Sequence, residues 1–204
     1  MNMIRHSILF GVIAAAVLVA RIGPLSGAGS SITGTVKVTG VASSADVVVY
    51  IEQAPGTFPP GKPAVMDQKK MQFIPHVLPV VAGTTVKFLN DDPTPHNVFS
   101  PDNEKYNLGT WPQGQSKDYA FTKCAKTPCV YTQLCRVHPE MEGYVVVLQN
   151  PYFAVTDKDG HYEIENVPPG SYTLAVWHTR SKAQPKPVTV EAGKPATVDF
   201  ALAR

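Results

Sequence analysis

The sequence predicts an all-β protein, and three observations lead to that prediction. Short runs rich in valine, threonine and aromatic residues recur along the chain, and these residue types favour strands. The 19 prolines and 15 glycines supply the many turns that short strands need. No window of the mature chain has convincing helical periodicity in its apolar residues.

The N-terminal segment differs from the rest of the chain. Arg5 and His6 precede an apolar run, and small residues follow it at Ser26, Gly27 and Ala28. This pattern predicts a Sec-type signal peptide over residues 1–28, and therefore a periplasmic or secreted protein. The alternative is a retained membrane anchor, but the apolar run is shorter than the roughly 20 residues that a spanning helix needs. No other stretch is long and apolar enough to span a membrane.

Composition and charge narrow the function classes. With 44% hydrophobic and 17% charged residues, the 204-residue chain has the composition of a folded protein of one or two domains. Loss of residues 1–28 removes two of the 18 basic residues and none of the 16 acidic ones, which leaves no net charge. A neutral chain has no broad basic field, so we expect no nucleic-acid partner.

The first part of the mature chain resembles a hairpin followed by a boundary. Residues 30–40 and 45–52 are two β-rich runs separated by a turn. Residues 54–63 then contain four prolines in ten positions, which predicts a linker or a domain boundary.

The middle of the chain alternates between strands and loops. Residues 73–90 predict two strands around a turn at Ala82 and Gly83, and residues 91–95 predict a loop that leads into His96. Residues 101–118 are polar and rich in glycine and proline, so we expect a loop there, followed by a short strand at residues 119–121. After residue 150, alternating runs predict four more strands, over residues 161–167, 171–177, 187–190 and 196–201.

A cluster of metal donors lies between two predicted strands. Cys135, His138 and Met141 follow a C-x2-H-x2-M spacing, with strand-like residues at 131–134 before them and 144–148 after them. A thiolate, an imidazole and a thioether each bind soft or borderline metals. Two histidines, one cysteine and a weak axial methionine form the blue-copper arrangement, and His96 is the obvious candidate for the second histidine.

Three cysteines in an exported chain raise the question of pairing. Cys124 and Cys129 bracket a turn-like Ala-Lys-Thr-Pro segment and could close a local disulfide. Cys135 is then unpaired, and metal ligation would protect it. The alternative pairs Cys135 with Cys124 or Cys129.

Several motifs in order resemble the cupredoxin family, nearest to small blue copper proteins of the amicyanin and pseudoazurin type. They are the Phe73-Ile-Pro segment, the Gly83-Thr-Thr-Val-Lys-Phe-Leu-Asn segment, the Pro95-His96-Asn97 segment and the ligand spacing above. The resemblance implies a Greek-key cupredoxin β-sandwich over residues 62–149 and one type 1 copper ion. Its ligands would be His96, Cys135, His138 and Met141.

The same resemblance gives two neighbours of the ligands a role. Asn97 would tie the two ligand loops together, and Pro139 would follow the histidine directly and stiffen the loop. Two alternatives stay open, a structural zinc site and an axial ligand from Glu140 or Glu142 in place of Met141, although a thioether is a poor zinc ligand. A binuclear copper centre would need two cysteines in this loop, and only Cys135 is there.

The C-terminal segment resembles a different family. The sequence from Thr156 to Leu174 follows the T-D-x-D-G … V-P-P-G-x-Y-x-L pattern of the carboxypeptidase regulatory-like domain. That resemblance implies a transthyretin (prealbumin)-like β-sandwich, whose opening strands would be at Gly34–Val36 and Val47–Tyr50. We therefore expect one sandwich made of residues 30–58 and 150–204, with the cupredoxin domain inserted. The alternative is a tandem arrangement.

These patterns predict a function. Proteins resembling this combination are usually exported bacterial proteins, and the copper site suggests a one-electron carrier that works with a redox partner protein. The alternatives are a copper-binding or copper-delivery protein without a redox role, and a structural β-sandwich that mediates interactions. We expect His76, His161 and His178 to be bystanders. No catalytic pattern stands out, so we expect no enzyme activity.

Overall fold

A computed structural model describes residues 29–124 and 126–203, so the predicted signal peptide lies outside the described residues. Strands and turns make up this part of the chain, as the sequence predicts. The strands are β1 (Ser30–Val38), β2 (Val48–Ile51), β3 (Ala64–Lys69), β4 (Gln72–Ile74), β5 (Val77–Val81), β6 (Thr85–Leu89), β7 (His96–Ser100), β8 (Tyr106–Trp111), β9 (Ser116–Ala120), β10 (Cys129–Leu134), β11 (Glu142–Leu148), β12 (Phe153–Val155), β13 (His161–Val167), β14 (Gly170–Trp177), β15 (Lys186–Val190), β16 (Ala196–Thr197) and β17 (Phe200–Leu202).

The first sandwich consists of β1, β2 and β12–β17. One sheet has the order β13-β1-β16, with β17 also on β1, and the other has the order β12-β2-β14-β15. Ile32, Val49, Leu174 and Phe200 belong to the core between the two sheets. β1 and β2 thus pair with strands that come more than one hundred residues later, as expected if one sandwich is split in sequence.

The second sandwich consists of β3–β11, which lie between β2 and β12 in sequence. A five-stranded sheet of order β5-β11-β10-β7-β8 faces a four-stranded sheet of order β4-β3-β6-β9. Their core contains Phe73, Phe88, Trp111 and Tyr131, together with Cys135 and Met141. Each half of this sandwich includes one parallel pair, β5 with β11 and β3 with β6.

The predicted loop over residues 101–118 is wrong, because this segment contains β8 and the beginning of β9. Both strands lie at the edge of a sheet, β8 beside β7 and β9 beside β6. Most of their residues are exposed or half-buried. An edge strand with such exposure needs few apolar residues, so its sequence resembles a loop.

The two sandwiches pack face to face through β11. Val145 and Val147 point into the core of the second sandwich, whereas Val146 and Leu148 belong to a separate cluster with residues of β2 and β14. That cluster also contains Val48, Tyr50, Val77 and Ala175. Successive residues of a strand point to opposite faces, so β11 is buried on both sides, and four sheets form one stack.

The chain passes between the two sandwiches at neighbouring points. The Gln149 side chain accepts a hydrogen bond from the Ala54 amide at 3.2 Å and donates one to the Ala54 carbonyl at 3.3 Å. The Asn150 side chain also donates to the Ile51 carbonyl at 2.9 Å. These bonds hold the segment that enters the second sandwich beside the segment that leaves it. The domain boundaries at residues 58, 62 and 149–150 stay a prediction.

Candidate metal centre

Three predicted donors meet at one end of the second sandwich. The Nδ1 atoms of His96 and His138 lie 2.9 Å apart. The Cys135 sulfur lies 3.9 Å from the His96 Nδ1 atom, and one donor atom from each residue falls within 4.8 Å of the others. His96 and Cys135 are buried, and His138 is partly exposed. Among the described residues this is the group of histidine, cysteine and carboxylate side chains that could hold a metal ion.

The pairing of β10 with β11 explains how these donors come together. Leu134 lies opposite Glu142, so residues 135–141 form the connection between the two strands. Cys135 and Met141 therefore stand at the two ends of one loop, and the Met141 amide donates to the His138 carbonyl at 3.0 Å. His96 comes from the start of β7, which pairs with β10. Met141 is buried in the same core cluster as Cys135.

Asn97 contacts both parts of the site. Its backbone amide donates to the Cys135 sulfur at 3.4 Å, and its side-chain oxygen accepts from the Arg136 amide at 3.4 Å. The Asn97 side-chain nitrogen donates to Asn107 at 2.8 Å and to the Gly109 carbonyl at 2.7 Å. The residue that follows His96 is therefore hydrogen-bonded both to the loop that carries Cys135 and to β8. Pro139 lies exposed between His138 and Met141.

Asp92 was not predicted from the sequence, and it contacts His96 on the side away from the other donors. The Asp92 Oδ2 atom lies 2.8 Å from the His96 Nε2 atom. Burial alone would raise the pKa of Asp92, but hydrogen bonds from the Met71 amide, His96 and the Lys70 amide together hold that pKa below its usual value. Asp92 is therefore a carboxylate at neutral pH. Its position four residues before His96, in the loop after β6, was the available signal.

The other histidines in the described part of the chain, His76, His161 and His178, are not among the three clustered donors. His76 is exposed and its ring packs edge-on to Tyr144, with 5.5 Å between ring centroids. His161 is exposed, 3.6 Å from the Asp157 carboxylate. Burial lowers the pKa of His178, which is half-buried beside the end of β14. Glu140 and Glu142 are exposed.

Two of the cysteines form a disulfide, and the third is one of the clustered donors. Cys124 and Cys129 form a disulfide, and Cys135 is free and buried. Since Cys129 begins β10 and Cys135 directly follows its last residue, the disulfide and the donor cluster are at opposite ends of one strand. At about 3.3 Å per residue, that separation is about 20 Å.

Removal of the disulfide tests whether that end of the strand is independent of the site. We expect the double variant Cys124→Ala, Cys129→Ala to lose about 2 kcal/mol of unfolding free energy, because a short closed loop restricts the unfolded chain. Urea unfolding of the metal-free protein measures this loss. The visible spectrum of the copper-loaded variant should match that of the original protein. A changed spectrum would show that the disulfide also supports the site.

The donor chemistry fits copper. A thiolate with two imidazoles suits copper in both oxidation states, and the thioether expected from Met141 would suit copper better than zinc. Cys135 and His96 supply the first two kinds of donor from buried positions, so an ion here would be held away from bulk water.

Comparisons with known protein families agree with this chemistry. Residues 62–148 match the model for copper-binding proteins of the plastocyanin/azurin family, and residues 140–203 match the model for the carboxypeptidase regulatory-like domain. The chain therefore combines a copper-binding cupredoxin domain with a carboxypeptidase regulatory-like domain. Both recognitions made from the sequence are confirmed, and so is copper as the cofactor.

Solved structures similar to this chain include cupredoxins. A purple cupredoxin from Nitrosopumilus maritimus is 27% identical, with 41% of this chain and 98% of that chain covered and a TM-score of 0.36. A reduced tryptophan-to-tyrosine mutant of amicyanin is 29% identical, with 47% of this chain and 86% of that chain covered and a TM-score of 0.37. No curated protein matches the sequence.

Proposed function

We propose that this protein is a periplasmic or secreted electron carrier with a type 1 copper site held by His96, Cys135, His138 and Met141. The main support is the arrangement of two imidazoles and one thiolate within 4.8 Å at a largely buried position. The bound copper supplies a couple that accepts and releases one electron. The rest of the function depends on how the chain holds these donors.

The framework of the site favours fast electron transfer because its donors have little freedom to move. His96 belongs to a paired strand, in register with Trp111 of β8. Cys135 directly follows β10, and Met141 directly precedes β11, a strand buried on both faces. Donors fixed in this way would change position little between the two oxidation states.

His138 is the proposed point where electrons enter and leave. It is the partly exposed member of the three clustered donors, and its neighbours Val137 and Pro139 are exposed. Val137 is 48% exposed, so together with Pro139 it gives the surface beside His138 an apolar character. We propose that a redox partner protein docks on this apolar surface.

We also propose that the protein works outside the cytoplasm and has no enzymatic activity. No helix among the described residues is long and apolar enough to cross a membrane. The Cys124–Cys129 disulfide supports an oxidising compartment, in agreement with the predicted signal peptide. We propose no enzymatic activity, because four protein donors leave no open coordination position for a substrate.

Copper delivery is the second candidate function. A cleft of about 370 Å³ is lined by Met71, His76 and the buried Met141, among other residues. The Met71 thioether and the His76 imidazole are exposed donors of the kinds that copper prefers, and they lie on a path that reaches the proposed axial ligand.

Redox cycling separates the two candidates. A carrier keeps its metal in both oxidation states, so we expect reversible one-electron voltammetry of the copper-loaded protein. We also expect no loss of copper to a moderate cuprous chelator after reduction, measured as metal that remains with the protein after gel filtration. The matched control is the oxidised protein with the same chelator. Rapid stoichiometric loss from the reduced protein alone would favour delivery.

A further inference from the structure

The Asp92 carboxylate accepts hydrogen bonds from two separate parts of the molecule. Its Oδ1 atom accepts from the Lys70 amide at 2.6 Å, and its Oδ2 atom accepts from the Met71 amide at 2.7 Å. The same Oδ2 atom lies 2.8 Å from the His96 Nε2 atom, which donates its proton when Nδ1 faces a metal. One buried oxygen therefore joins the tip of the β3–β4 hairpin to a proposed copper ligand.

The two residues at the tip of the β3–β4 hairpin are unusual for the backbone conformation that they adopt. Lys69 pairs with Gln72, and the two residues between them have φ angles of 54° and 55°. A two-residue turn of this kind favours Asn-Gly, because side chains disfavour the left-handed backbone. Lys70 and Met71 stand there instead, and Met71 is 50% exposed. The two amides of the tip donate to Asp92 and so hold the tip in place, and the Lys70 and Met71 side chains face solvent.

We propose that Asp92 is a positioning residue that couples the β3–β4 hairpin tip to the copper ligand His96. The reduction potential of the copper would then depend on where the tip places its two amides. The inference rests on the copper site proposed above. The Met71 amide and the His96 ring share one acceptor oxygen. If the Met71 amide moves away, the Asp92 Oδ2 atom directs more of its negative charge at the His96 ring. The ring then becomes a stronger donor, which stabilises Cu(II) more than Cu(I).

The tip is also a suitable place for a partner to act on the site. Met71 lines the same cleft as Met141, Glu140 and Arg180, so its side chain borders the ligand loop. A redox partner that contacts Met71 would shift the two amides relative to Asp92. By reciprocity, the oxidation state of the copper would change the affinity of that partner.

Two variants with opposite expected effects test the coupling at one fixed pH. Asp92→Asn keeps the size of the side chain and removes its charge. We expect the Cu(II)/Cu(I) equilibrium to shift at least tenfold toward Cu(I), which corresponds to a rise of about 59 mV in the potential. Two glycines inserted between Lys70 and Met71 move the Met71 amide away from Oδ2, and we expect a fall in the potential.

The matched control replaces the tip with the sequence that its backbone favours. The double variant Lys70→Asn, Met71→Gly keeps both amides and both φ angles and removes only the side chains, so we expect an unchanged potential. A potential that Asp92→Asn leaves unchanged would overturn the proposal. Shifts of the same sign in Asp92→Asn and in the variant with two inserted glycines would also overturn it, because both would then report a general disturbance of the site.

A measurement without copper separates this proposal from the proposed function. In the metal-free protein, NMR should show slow exchange of the His96 Nε2 proton, and Asp92→Asn should make that exchange at least tenfold faster. Equal exchange rates would contradict the role of Asp92. A chain that protects this proton but binds no copper would contradict the electron-carrier function and leave the Asp92 contact established.

Discussion

Replacement of Cys135 by serine is expected to abolish the intense visible charge-transfer band of the copper-loaded protein. That band arises from a copper–thiolate bond, and a serine hydroxyl does not ionise to replace it. Cys135 is 3% exposed and receives a hydrogen bond from the Asn97 amide, so the thiolate is held in place for this bond. Absorption spectra of the two copper-loaded proteins measure the effect.

The matched control for Cys135→Ser removes sulfur from the other end of the same strand. The double variant Cys124→Ser, Cys129→Ser should keep the visible band at full intensity, because the disulfide makes no contact with the donor cluster. A band that persists in Cys135→Ser, or that is absent from the original protein, would contradict the type 1 site. An almost unchanged free energy of unfolding for the metal-free Cys135→Ser variant would show that the visible band is lost through the missing copper–thiolate bond and not through misfolding.

Placement of a charge between the two sandwiches is expected to give the largest loss of stability. Val146 is fully buried on the outer face of β11, in the cluster that joins the sandwiches. Val146→Asp would put a carboxylate there with no partner, and we expect a loss of about 3–5 kcal/mol in the free energy of unfolding. Denaturant unfolding of the metal-free protein, followed by circular dichroism, measures this loss.

Val65 provides the control for Val146→Asp. It lies on β3, and its side chain is 45% exposed. The same substitution there should change the unfolding free energy by less than about 0.5 kcal/mol, since the new charge stays in water. A loss at Val146 as small as that at Val65 would contradict the burial of this position between the sandwiches.

Several strands were predictable because one or both of their faces are buried. The run around Val47–Ile51 is continuously apolar because Val49 and Ile51 face the first core while Val48 and Tyr50 face the second sandwich. The sequence identifies such a strand by its β-branched residues. β8 and the beginning of β9 escaped prediction because edge strands with exposed faces carry polar residues.

The metal donors were predictable for a different reason. Cys135, His138 and Met141 lie in one short connection, so their spacing alone holds them near each other. His96 was found through the motif around it. Asp92 was not, since a carboxylate in a polar loop gives no sign of its partner. The ligand role of Met141 and the domain boundaries stay predictions.

The sequence by itself determined the all-β class, the two families and the three donors that meet at the site. These features depend on local alternation, turn residues and short spacings, which neighbouring residues specify directly. Only the tertiary structure decided that β11 is buried on both faces and that Asp92 joins His96 to the hairpin tip. The contacts of β11 with the first sandwich, and those of Asp92 with the hairpin tip, link residues at least twenty positions apart. Asp92 lies only four residues from His96, but its side chain could equally have faced water. These contacts depend on how strands register and how sheets stack, which a pattern of alternating residues does not specify.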